Sequence, residues 1–124
     1  MRQWIVNPKI MCRKHLLGEH VEHHMFLGTM LKGKSIGGYI DNDLLEPTAL
    51  WKRHEELVGE MKSRGYNHNS PFQLELPEIM WLHDKYAHVW QHRIDRDASY
   101  KELVSRCPEC KARSLDYVQS IRNL

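Results

Sequence analysis

Apolar residues recur along this chain at helical spacing, and no stretch supports a substantial sheet. The pattern predicts an all-α fold: a compact bundle of about three main helices with a C-terminal extension. Pro8 closes a short N-terminal strand or extended arm. A first helix is expected from about Met11 to Leu31. At 100° per residue, Leu16, Leu17, Val21, Met25, Leu27, Gly28 and Leu31 fall on one half of its wheel, and Cys12, His15, Glu19, Glu22, His23 and Phe26 on the other. Gly33, Gly37 and Gly38 mark a loop that Asp41-Asn42-Asp43 extends as a turn.

Pro47 suits the first turn of a second helix, whose buried stripe reads Leu50, His54, Leu57, Val58 and Met61. Arg64-Gly65 ends it, with a cation in the last turn and then a glycine free to take positive φ. Tyr66 to Leu76 reads as irregular chain. A third helix is expected from Pro77, with Ile79, Leu82, Tyr86, Val89, Trp90 and Ile94 at helical spacing. Ser99 to Glu102 fits a capping box that opens a shorter helix, stopped at Cys107-Pro108. Lys111 to Leu124 is either a last helix or a frayed tail.

With 124 residues, 41% of them hydrophobic and 27% charged, the chain suits one globular domain, residues 1–124. No run of about 18 apolar residues could span a membrane, and the N-terminus lacks the apolar segment of a signal peptide. A cytosolic location is therefore expected, and the chain is read as a monomer. The net charge of +2 is only a weak pointer to nucleic acid. Nine histidines could add positive charge near pH 6. Three cysteines cannot all pair within one chain, which favours free thiols or metal ligands over a disulfide framework.

His15-Leu16-Leu17-Gly18-Glu19-His20-Val21-Glu22 resembles the first-helix motif of the pyrimidine dimer DNA glycosylases. Trp51 through Asn67, with Lys52-Arg53, Glu56-Leu57, Glu60 and Arg64-Gly65-Tyr66-Asn67, resembles their second helix and the turn after it. Arg93-Ile94-Asp95 resembles a shorter stretch of their third. The likeness covers roughly the first two-thirds of the chain and fades after Asp95.

That resemblance implies a compact three-helix bundle and a glycosylase with an associated AP lyase activity on damaged or modified double-stranded DNA. It implies no catalytic cofactor. The nucleophile would be the α-amine of Met1, which is expected to be retained because Arg2 is bulky. An α-amine ordinarily titrates at about 7.7–8.0, far below a lysine. Glu22 stands at the family's distance from the N-terminus and matches the catalytic acid. Arg2 matches an arginine beside the nucleophile, and Arg93 one that contacts DNA phosphate. Val21 and Met25 occupy two positions where the family carries DNA-gripping arginines. Two other readings are a non-catalytic DNA-binding module of this fold and a His/Glu metal hydrolase, although no His-Glu-x-x-His pattern is present.

Other residues have plainer readings. Glu19 reads as a solvated or helix-dipole carboxylate, and His23 as its partner one turn on. His20 and His24 read as core or subsurface histidines with hydrogen-bond partners. Trp4, Trp51, Trp81 and Trp90 read as packing residues. Cys12 and His15, and Cys107 and Cys110, share one two-residue gap. Together they make a complete tetrahedral set for a structural zinc, or else three unrelated thiols and a helix-start histidine. His15 is claimed by both this set and the family motif.

Overall fold

The computed structural model describes residues 1–124. It is all-helical, with six α-helices: α1 (Arg13–Leu31), α2 (Gly37–Asp41), α3 (Leu50–Ser63), α4 (Leu76–Lys85), α5 (Arg96–Arg106) and α6 (Pro108–Arg122). Short 3-10 turns at Pro8–Ile10 and Pro47–Ala49 lead into α1 and α3. The long pair α1 and α3 pack on each other, and α5 and α6 form a hairpin against the N-terminal end of α1. The division is thus finer than three main helices and an extension. The final segment is a regular helix to Arg122.

The second helix follows its pattern closely. Leu50, His54, Leu57, Val58 and Met61 are all buried, and Gly65 ends the element with φ 82°. The first helix does not. Its buried stripe is Leu16, Glu19, His20, His23, Phe26, Leu27 and Met30, about a quarter-turn from the apolar half read on the wheel. Val21 and Met25, expected inside, are 54% and 50% exposed. Hydropathy fails here because three of the seven inward residues, Glu19, His20 and His23, are polar and bury against partners from other parts of the chain, Arg53, His68 and Gln3.

The centre of that stripe is an ion pair. Arg53 of α3 donates from Nε to Glu19 Oε2 at 2.7 Å and from Nη2 to Oε1 at 2.9 Å, with both side chains about 1% exposed or less. Arg53 Nη1 also donates to the Val6 carbonyl at 2.6 Å. Glu19 is therefore neither solvated nor paired with His23, whose Nδ1 lies 2.8 Å from the Glu19 backbone carbonyl instead. The polar layer separates two apolar clusters. One gathers Trp4, Ile10, Met11, Leu16, Leu57, Met61 and Leu103. The other gathers Phe26, Met30, Ile36, Leu45, Leu50, Phe72 and Leu82.

The third expected helix stops at Lys85 rather than running to Ile94. Tyr86 turns its hydroxyl onto the Lys34 carbonyl at 2.6 Å. Beyond it His92 meets Asp43 at 2.8 Å and the Ile94 amide donates to Glu46 at 2.8 Å. These long-range bonds take the place of further helical turns. The helix expected from Ser99 begins earlier, because Asp95 caps it by accepting from the Ala98 amide at 3.0 Å. Ser99 is buried inside α5, its hydroxyl donating to the Trp4 carbonyl. Trp4 is core, Trp90 half-buried, and Trp51 and Trp81 are exposed.

Candidate active site

The N-terminal arm is held by its backbone and by Gln3. The Gln3 amide donates to the Leu44 carbonyl at 2.8 Å. Its side chain accepts from the Glu46 amide and meets His23 at 3.0 Å, fully buried. Ile5, a β-branched residue at φ 48°, turns the arm so that Trp4 and Val6 both enter the core. This anchoring fixes the first two residues against α1. The Arg2 amide then donates to Glu22 Oε2 at 3.1 Å.

Met1, Arg2, Trp4, His15, Glu22, Leu44 and Arg106 line one cleft of about 430 Å³. Glu22 and His15 lie seven residues apart, two turns along the same face of α1. A neighbouring cleft of about 350 Å³ shares Arg2, Leu44 and Arg106 and adds Ser99, Asp43 and Glu102. Arg2 and Arg106 both approach the Trp4 ring, at 3.7 and 5.5 Å from its centroid. Burial, and next the charge of Arg106, lowers the Arg2 guanidinium below its usual range. Its Nε is buried without a partner, while Nη2 donates to Ser99 Oγ at 3.3 Å. The arrangement puts one carboxylate beside the chain's first residues under two cations. That is a setting for proton transfer next to an anionic ligand.

Met1, Arg2 and Glu22 are thus brought together, and Arg93 is not. Arg93 is exposed, donates to Thr48 Oγ1 at 2.6 Å, and lines neither cleft. Arg106 was not singled out from the sequence. It lies beyond the resembling segments and carries no motif; its proximity to Trp4 depends on how α5 packs. An apolar pocket of about 190 Å³ lies between α3 and α4, around Leu50, Phe72 and Leu82. It has no group suited to proton chemistry.

Cys12, His15, Cys107 and Cys110 also converge, with their ligand atoms all within 4.8 Å of one another. Cys12 Sγ lies 3.9 Å from Cys107 Sγ, and His15 Nδ1 lies 3.1 Å from Cys12 Sγ and 3.6 Å from Cys110 Sγ. Zinc–sulfur bonds of about 2.3 Å space tetrahedral sulfurs by about 3.8 Å, so the set has the right size for zinc. The sulfurs accept from backbone amides: Cys12 N to Cys110 Sγ at 3.2 Å, and Cys110 N to Cys107 Sγ at 3.4 Å. As a free thiol, Cys110 is pushed up to about 12, chiefly by burial. His15 therefore belongs to both constellations: Nδ1 meets the sulfurs, and the residue walls the cleft.

A family model, pyrimidine dimer DNA glycosylase, matches residues 1–74. No curated protein and no solved structure matches the chain. The matched span contains Met1, Arg2, Glu22 and the Glu19–Arg53 pair. It leaves out Ser99, Arg106, Cys107 and Cys110.

Proposed function

The chain belongs to the pyrimidine dimer DNA glycosylase family, and on that footing we propose that it excises a damaged or modified base from double-stranded DNA and then cuts the strand as an AP lyase. The observation that carries this reading is the Arg2 amide donating to Glu22 in the cleft that Met1 also lines. The target nucleotide must leave the stack for an amine to reach its sugar. The neutral Met1 amine attacks C1′, and the glycosidic C–N bond breaks with its electron pair leaving on the base. Glu22 stabilises the developing sugar cation and takes the proton lost by the amine. Opening of the sugar gives an imine that acidifies the C2′ proton. Removal of that proton expels the 3′ phosphate by β-elimination, and water releases the amine.

Arg2 and Arg106 would hold phosphate at the cleft, and Arg93 would meet the backbone farther along. Val21 and Met25 stand exposed where the family carries arginines, so the grip on DNA rests on fewer cations and the base recognised need not be an ultraviolet dimer. Cys12, His15, Cys107 and Cys110 would hold a structural zinc that ties the α5–α6 hairpin to the start of α1, with no open coordination position. Borohydride reduction on abasic DNA tests the chemistry. It should trap a covalent adduct that peptide mapping assigns to Met1. An adduct on an internal lysine, or no adduct with binding intact, would reject the mechanism; the latter outcome would leave a non-catalytic DNA-binding module.

A further inference from the structure

The histidines that the glycosylase chemistry leaves unused converge on the other side of α1. His20 and His24 lie one helical turn apart on α1, His54 projects from α3, and His68 comes from the chain after Gly65. Their ligand nitrogens all lie within 4.8 Å of one another. Two contacts are close, His20 Nε2 to His68 Nε2 at 3.0 Å and His24 Nε2 to His54 Nε2 at 3.2 Å. Zinc–nitrogen bonds of about 2.0–2.1 Å would space four tetrahedral nitrogens by about 3.4 Å, so the quartet needs little movement to close on an ion.

We propose that His20, His24, His54 and His68 form a second metal site, which takes a divalent transition ion of the zinc class through four imidazoles and clamps residues 66–75 to α1 and α3. The outer contacts suit this role. Glu55 Oε1 lies 3.0 Å from His54 Nδ1, which fixes that ring with Nε2 inward. Phe72 stacks on His54 with centroids 4.2 Å apart.

The clamped segment needs such a fastening. Between Asn67 and Leu74 no backbone group pairs with another backbone group. Four protein ligands make a closed, structural site rather than a hydrolytic one. Glu22 lies two residues from both His20 and His24, about 160° around α1 from each, so the ion and the Met1 cleft occupy opposite faces.

Protein purified without chelator and supplied with Zn²⁺ should carry two zinc ions per chain by elemental analysis, one in each cluster. His68→Ala, placed outside the helices, should lose one ion and leave abasic-DNA trapping unchanged. Cys107→Ser should lose the other. If the cysteine cluster binds nothing, the single ion found is the one His68→Ala removes, which keeps this proposal and rejects the other. Zinc content unaffected by His68→Ala overturns it, as does a metal-free wild type. Cadmium-113 NMR of the unsubstituted protein gives a reading free of any folding defect. Two resonances are expected, one thiolate-rich and one all-nitrogen. A thiolate-rich signal alone would overturn the site.

Discussion

Residues 1–74 and residues 75–124 build the same cleft by different means. The first part brings Met1, Arg2, His15 and Glu22 together through one arm and one helix, in a stretch that a family model matches. The second part contributes through packing alone: Ser99 accepts from Arg2 and donates to the Trp4 carbonyl, and Arg106 reaches the Trp4 ring. The proposed reacting groups lie close in sequence to the element that positions them. Most of the cations and thiols around them come from elements that must first dock. Substitutions in the first part should therefore cost chemistry, and those in the second should cost affinity or docking, except at Arg106, which lines the Met1 cleft itself.

The largest expected effect is on Glu22. Glu22→Gln keeps the shape and an oxygen acceptor for the Arg2 amide but removes the proton carrier. Base excision should fall by about 10²–10⁴-fold, with DNA affinity and helicity retained. One residue added before Met1 should abolish trapping, because it moves the α-amine away from the carboxylate. Single-turnover rates and adduct yields measure both. Near-normal excision by Glu22→Gln would break the division by placing the acid elsewhere.

Next in size is the Glu19–Arg53 pair. Both groups are buried, so removing one leaves a charge without a partner. Arg53→Met should destabilise the fold by about 3–5 kcal/mol, read by urea unfolding. Adding Glu19→Leu should recover much of that loss, since two apolar groups replace the pair. A single substitution costing under about 1 kcal/mol would show the charge to be relieved by water.

How much of this was legible in the sequence varies with the physics of each part. Helix α3 was readable because its inward stripe is apolar but for His54 and Arg53, and Gly65 marks its end. Helix α1 was readable in extent but not in orientation. Its inward face holds Glu19, His20 and His23, which bury because partners from α3, the chain after Gly65 and the arm satisfy them in turn. Glu22 was singled out by the family motif and its distance from Met1, which periodicity alone could not supply. The His20–His68 quartet escaped because its members come from three elements 48 residues apart at the extremes, and two of them read as ordinary subsurface histidines. The Cys12–Cys110 set was visible because both halves carry the same short gap. Arg106 had no local signal.

The proposed zinc set tests whether the second part docks through its cysteines. Cys107→Ser should lose one zinc. Amides of α5 and α6 should then exchange faster, while those of α1 and α3 keep their protection, because the hairpin opens as a unit. Equal loss of protection throughout would mean that the hairpin and the α1–α3 pair unfold together, and that the two parts are not separable.

The smallest effect expected is on the grip of DNA, and it separates two arginines. Arg106 lines the Met1 cleft, whereas Arg93 stands exposed beside Thr48 and lines neither cleft. If each neutralises one phosphate, either Arg→Ala substitution should lower the slope of log affinity against log salt by about 0.9. The two should differ in chemistry. Arg106→Ala should also slow trapping at saturating DNA, because it removes charge next to the reacting sugar's phosphates. Arg93→Ala should leave that rate unchanged, because its contact serves only to hold the duplex. An unaltered slope for Arg93→Ala would mean that the DNA does not pass Thr48. A slope lowered equally by both, with trapping slowed by neither, would confine Arg106 to binding and leave the reacting site to the first part alone.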